Sequence, residues 1–137
     1  MSNLATILLF FTSLLAIIAI WALFTRWWVD TKKRTIQHVG QFFLHAMAFF
    51  ANSFIYYRFD PPYEKLAEWT ALQFLQAGIY WVLFDLLLNK LRGRSLKYVS
   101  QSNLLDKFFH RYTDPFKSQM IAKISVILIS AILVILL

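Results

Sequence analysis

Asp85 stands in "YWVLFDLLLNKLRGRSLKY", Tyr80 to Tyr98, with leucines around it and a basic cluster, Lys90, Arg92, Arg94 and Lys97, directly behind. A carboxylate in an apolar run is costly unless it is paired, so an intramembrane one is a functional candidate. It can handle protons or ions, or it can anchor one helix to another. Lys123, inside the last apolar run, is the first expected partner. His38 is the second, and Arg92, seven residues along the same helix, is the third. At about 100° per residue, Gly78, Asp85, Asn89 and Arg92 form one polar line.

A second constellation lies upstream. His38, Gln41, His45, Asn52 and Tyr56 fall within about 60° of arc on a helix, a polar stripe in an otherwise apolar stretch. Gln73, Gln76 and Tyr80 share one face of the next apolar run. Together these eight residues make either a polar pathway or a helix-packing network. Asp85 points away from Gln73 and Gln76, so its helix must have neighbours on two sides. That places it at the centre of a bundle or at an oligomer contact.

Other chemistry is excluded or disfavoured. The chain has no cysteine, which removes disulfides, thiolate metal sites and Cys nucleophiles. His38 and His45 are seven apart, whereas two zinc ligands on a helix sit at i and i+4, so no metal is expected. GxSxG, HExxH, P-loop and paired-carboxylate signatures are absent, so the chain reads as non-enzymatic with no cofactor. With only 3 glycines and no GxxxG, large aromatic contacts are expected to do the packing.

These residues must be positioned by elements suited to lipid. The chain is 59% hydrophobic with a mean hydropathy of +0.56, too apolar for an ordinary soluble domain of 137 residues. Its net charge of +7 could indicate nucleic acid. The basic residues fall between apolar runs, however, which suits a membrane surface instead.

Four transmembrane helices are expected, at about residues 4–25, 35–57, 69–89 and 119–137. The first is read as a retained helix rather than a signal peptide. Trp27 and Trp28 behind it suit the headgroup zone. Pro61 and Pro62 break the chain between the second and third runs. Thr113, Asp114 and Pro115 are a start signal for the fourth. Residues 102–112, "SNLLDKFFHRY", alternate apolar and charged positions at helical spacing and predict an interfacial amphipathic helix.

Eleven of the fourteen Lys and Arg residues fall in the first and third connections. By the positive-inside rule both basic loops are cytoplasmic and both termini lie outside, in a bacterial inner membrane. No internal repeat or low-complexity tract interrupts a single polytopic membrane domain over 1–137.

The block from Tyr80 to Asp106 also resembles a pattern of small uncharacterised membrane proteins of bacteriophages and Bacteroidetes-type bacteria. The matching positions are Tyr80-Trp81, Phe84-Asp85, Asn89, Arg92-Gly93, Tyr98, Ser102 and Leu105-Asp106, with Ser100 where the pattern tends to have Gly. The resemblance implies no activity, only that this block of about thirty residues acts as a unit. A phage setting suggests a holin, although the apolar last run lacks a holin's charged tail.

The expectation is an all-α membrane protein with a membrane-permeability role, channel- or holin-like. The alternative is a non-catalytic membrane scaffold. In it the polar residues lock the bundle, and Lys90, Arg92, Arg94 and Lys97 bind anionic lipid headgroups or a cytoplasmic partner. A headgroup enzyme using Asp85, His38 and Arg92 is a third reading, which no motif supports. Membrane lipids are the expected partners, a homo-oligomer is admitted, and nucleic acid is not.

Overall fold

The computed structural model describes residues 3–32, 38–57, 66–100 and 104–137. Every regular element among them is a helix. These are α1 (Asn3–Lys32), α2 (His38–Tyr56), α3 (Leu66–Leu91), α4 (Leu104–Phe109) and α5 (Pro115–Leu136). Three, α1, α3 and α5, are long and apolar enough to cross a membrane. Helix α2 is not among them, because its polar stripe dilutes its hydropathy.

The long helices differ from expectation mainly at their ends. α1 does not stop at Thr25 but runs through Arg26, Trp27, Trp28 and Asp30 to Lys32. No proline or glycine interrupts it, and Arg26 and Asp30 pair one turn apart at 3.7 Å. At 30 residues it is about 45 Å long, more than a hydrocarbon core of about 30 Å requires. α5 starts four residues before the expected position. Asp114 caps it, accepting from the Lys117 amide at 2.9 Å, and Pro115 sits in the first turn, where its missing N–H costs nothing. α3 ends at a glycine. Gly93 has φ 65°, and its amide donates to the Lys90 carbonyl while that of Arg94 donates to the Asn89 carbonyl. This double closure needs a left-handed residue, which glycine supplies without steric cost.

Of the amphipathic helix expected over 102–112, Leu104–Phe109 form α4 and residues 102 and 103 lie outside the described residues. Beyond Phe109 the amides of Arg111 and Tyr112 turn back onto the carbonyls of Phe108 and Phe109. That redirects the chain towards the Asp114 cap.

Each helix end matches its neighbour's in alternation. Tyr56 packs on Phe10, His45 on Trp21 and on Tyr80, and Lys123 reaches Asp85. α1, α2, α3 and α5 therefore run up, down, up, down. α3 lies centrally, against α1, α2 and α5, and α4 rests on α5.

Burial on α1 is a single stripe: Thr6, Phe10, Leu14, Ile18, Ala22 and Thr25, one residue per turn. The rest of the helix exposes Leu8, Leu15, Ile20 and Leu23. A helix apolar all round with so narrow a buried stripe needs an apolar medium on its other faces. Leu14, Ile18 and Phe49 form the core where α1, α2 and α3 meet, joined by Tyr80, Leu83, Phe84 and Leu87.

Aromatic contacts pack α1, α2 and α3, but the α3–α5 contact departs from that expectation. Gly78 is buried against α5. A Cβ there would sit 2.8 Å from Ile127 Cγ1. One small residue, without a GxxxG pair, lets these two helices close up.

Candidate functional site

The expected polar residues gather into two centres at different depths. The first joins α1, α2 and α3. Asn52 Nδ2 donates to Gln76 Oε1 at 2.8 Å, and Gln76 Nε2 donates to the Ser53 hydroxyl oxygen at 2.9 Å and to the Phe49 carbonyl at 3.2 Å. Gln73 Nε2 donates to the same Ser53 oxygen at 2.5 Å. The Ser53 hydroxyl in turn donates to the Phe49 carbonyl at 2.9 Å. From α1, the Ser13 hydroxyl donates to Asn52 Oδ1.

Asn52, Ser53 and Gln76 are all buried. Their amides and hydroxyls answer one another, and such mutual satisfaction makes a buried polar group tolerable. Chemically the cluster is a lock. It holds no titratable group; Asn52, Ser53 and Gln76 are bonded to one another, and Gln73 stands part-exposed at its edge.

The remaining predicted stripe residues do different things. Gln41 is half-buried. His45 is buried among rings, 4.7 Å from Trp21 and 4.4 Å from Tyr80 between centroids. Tyr56 contributes an edge-on contact with Phe10 at 5.5 Å. The His38 side chain lies outside the described residues.

The second centre joins α3 and α5 near the basic end. Lys123 Nζ donates to Asp85 Oδ2 at 2.5 Å, and Lys123 is 1% exposed. Nζ also lies 4.9 Å over the Trp81 ring, a cation–π contact strengthened by desolvation. One helical turn along α5 towards its start, Gln119 Nε2 donates to Asp106 Oδ1 of α4 at 3.0 Å. Burial, and next the nearby Asp85 charge, push the Asp106 carboxyl above its ordinary range, while Lys123, the Gln119 hydrogen bond and His110 pull it back. A buried cation thus pairs with one carboxylate, and a second carboxylate is held by Gln119 one turn away on the same helix.

Of the other candidates for Asp85, Arg92 turns to α1 instead. Its Nε lies 3.8 Å from Asp30 Oδ1, tying the basic ends of α1 and α3. Arg94 stacks on Tyr98, 4.4 Å from the ring centroid. Lys90 and Lys97 are exposed. Asn89 holds the loop behind Gly93, donating to the Tyr98 carbonyl at 2.8 Å. The His110 ring meets the Val99 and Ser100 carbonyls at 3.1 and 3.2 Å.

Sequence reasoning missed Ser13, Ser53, Asp30, Asp106 and Gln119. Ser53 had a signal, since it adjoins Asn52 and extends the stripe. Gln119 had a weaker one, its place one turn from Lys123 on the same helix. Ser13 had none, because Asn52 is 39 residues away; Asp30 had only the local one of its i,i+4 spacing from Arg26, which does not point to Arg92. No family model, no curated protein and no solved structure matches the chain.

Proposed function

We propose that the protein is a four-span integral membrane scaffold that binds anionic lipid at its basic end. The closed Ser13–Asn52–Gln76–Ser53 network carries this reading. A pathway needs polar groups left facing a lumen, and these face one another.

α2 serves as the fourth span. Its polar residues turn towards α1 and α3, while Phe42, Phe43, Leu44 and Met47 are exposed, an outer face suited to acyl chains. The basic ends of α1 and α3 lie together, as the Arg92–Asp30 pair marks. Charge counting puts that end in the cytoplasm of a bacterial inner membrane. Lys90, Arg94 and Lys97 are the headgroup contacts, and Arg92 stiffens the platform on which they stand.

The test is thermal unfolding in zwitterionic micelles with a rising fraction of phosphatidylglycerol. The anionic lipid raises the midpoint, and neutralising Lys90, Arg94 and Lys97 together to Gln removes the rise. An equal shift in protein and variant defeats the proposal.

The permeability reading keeps one supporting observation: the Asp85 side chain is 35% exposed beside its buried partner. Ion or dye flux through reconstituted liposomes, above that of empty vesicles, would favour it over the scaffold.

A further inference from the structure

A groove runs between α2 and α3, with a volume of about 540 Å³. That lies within the usual range of small-molecule sites, about 300–1,000 Å³. Phe42, Ala46, Phe50, Phe74 and Trp81 supply its apolar wall, and Gln73 interrupts it. His45 and Tyr80 also border it, but His45 Nε2 and the Tyr80 hydroxyl oxygen are enclosed in the protein. Among the described residues no Asp, Glu, Lys or Arg lines the groove, so a phosphate or an ammonium would find no counter-charge there.

The orientation of Gln73 is set by its neighbours. The Ser53 hydroxyl gives its hydrogen to the Phe49 carbonyl and accepts from Gln76 Nε2 at 2.9 Å. Towards Gln73 it can therefore only accept, so Gln73 turns its Nε2 to Ser53, at 2.5 Å. That leaves Oε1. It has no hydrogen-bond partner among the described residues and, unlike His45 Nε2 and the Tyr80 oxygen, it is not enclosed. The half-buried Gln73 thus offers the groove one open acceptor in an apolar wall, and an amide oxygen left dry is costly.

We infer that the groove binds an uncharged lipid with a free hydroxyl, the hydroxyl donating to Gln73 Oε1 and the apolar body lying along Phe74 and Trp81. The depth of Gln73 agrees. α3 has 26 residues and is about 39 Å long. Centred on a hydrocarbon core of about 30 Å, it puts Gln73 about 6 Å beneath the boundary farther from the basic loops. A neutral hydroxyl reaches that level, whereas a charged group is costly there. From Gln73 to Trp81 the groove follows α3 for about 12 Å, room for an alkyl body behind one hydroxyl. A plain acyl chain covers the aromatic wall and leaves Oε1 unbonded. The inference goes beyond the scaffold reading and does not depend on the basic surface.

The test uses the full chain in nanodiscs of zwitterionic lipid, titrated with 1-decanol and with 1,2-dioctanoylglycerol. Each is compared with its methyl ether, which keeps an acceptor but cannot donate. Ligand-observed NMR reads binding, with empty nanodiscs as the partition control. At least one alcohol is expected to saturate and to bind about tenfold more tightly than its ether, the scale of one unmade buried hydrogen bond. The tighter of the two tells a single-chain from a two-chain occupant. Gln73→Leu, which keeps the bulk and removes the acceptor, should reduce the ratio towards one. Absence of saturable binding by both alcohols, wild-type ratios near one (as when water fills the place), or a ratio that survives in Gln73→Leu overturns the inference. Should Gln73→Leu fail to fold, Ala46→Phe, at an exposed position on the groove wall, replaces it: alcohol binding should vanish, and unchanged binding overturns the inference.

Discussion

Lys123 reaches from α5 to Asp85 on α3 at 2.5 Å, with the lysine almost wholly enclosed and the carboxylate about one-third exposed. Losing either partner strands the other's charge inside the apolar span. Asp85→Asn and Lys123→Met should each cost about 3–5 kcal/mol, and the double change should recover part of the loss. Chemical denaturation of all four species in one detergent checks this. Strictly additive losses would falsify the coupling.

Gly78 makes a second prediction at the same helix pair. Elsewhere in a helix, Gly→Ala gains roughly 0.5–1 kcal/mol. Here the added methyl would meet Ile127 Cγ1 at 2.8 Å and Val126 Cγ1 at 3.3 Å. Both neighbours are β-branched and stiff. Gly78→Ala should lower stability by about 1–3 kcal/mol, and Ile127→Ala in the same chain should relieve much of the strain. A stabilised Gly78→Ala would mean α5 stands further off.

The amide lock should respond in proportion to hydrogen bonds lost. Gln76→Leu removes the bonds to Asn52, Ser53 and Phe49 and leaves Asn52 Nδ2 only its 3.4 Å contact with the Phe10 carbonyl. The expected cost is about 0.6–2 kcal/mol per bond. Gln73→Leu leaves Ser53 its bonds to Gln76 and Phe49 and should cost less. Thermal unfolding of the two variants side by side decides it, and a larger loss from Gln73→Leu would contradict the network.

Asp106 predicts a pH effect outside the spans. Its carboxyl is raised, by burial first and the Asp85 charge second. A raised folded-state value means the folded protein holds the proton more tightly than the unfolded chain. Its contribution is then complete below the unfolded value, about 3.9, and is lost as pH rises through the folded one. Asp106→Asn keeps an acceptor for Gln119 and abolishes the titration. The wild type should lose stability relative to this variant as pH climbs above about 4, and parallel pH profiles would refute the assignment.

Much of this protein follows from its residue types. Long apolar runs with few charges dictate helices, because only internal hydrogen bonding satisfies a backbone in an apolar medium. Asp114-Pro115 and Gly93 mark helix ends for local steric reasons, and the stripe through His45 and Asn52 shows which side of α2 turns inward. Those are short-range properties, encoded within a turn or two. Tertiary structure alone decided most of the partners. Lys123 already stood first for Asp85 in the sequence, but Asp30 for Arg92, Ser13 for Asn52 and Ile127 for Gly78 all depend on how far each helix is rotated and raised against its neighbour. Side-chain volumes summed over the whole bundle set those two quantities, and no local spacing contains them.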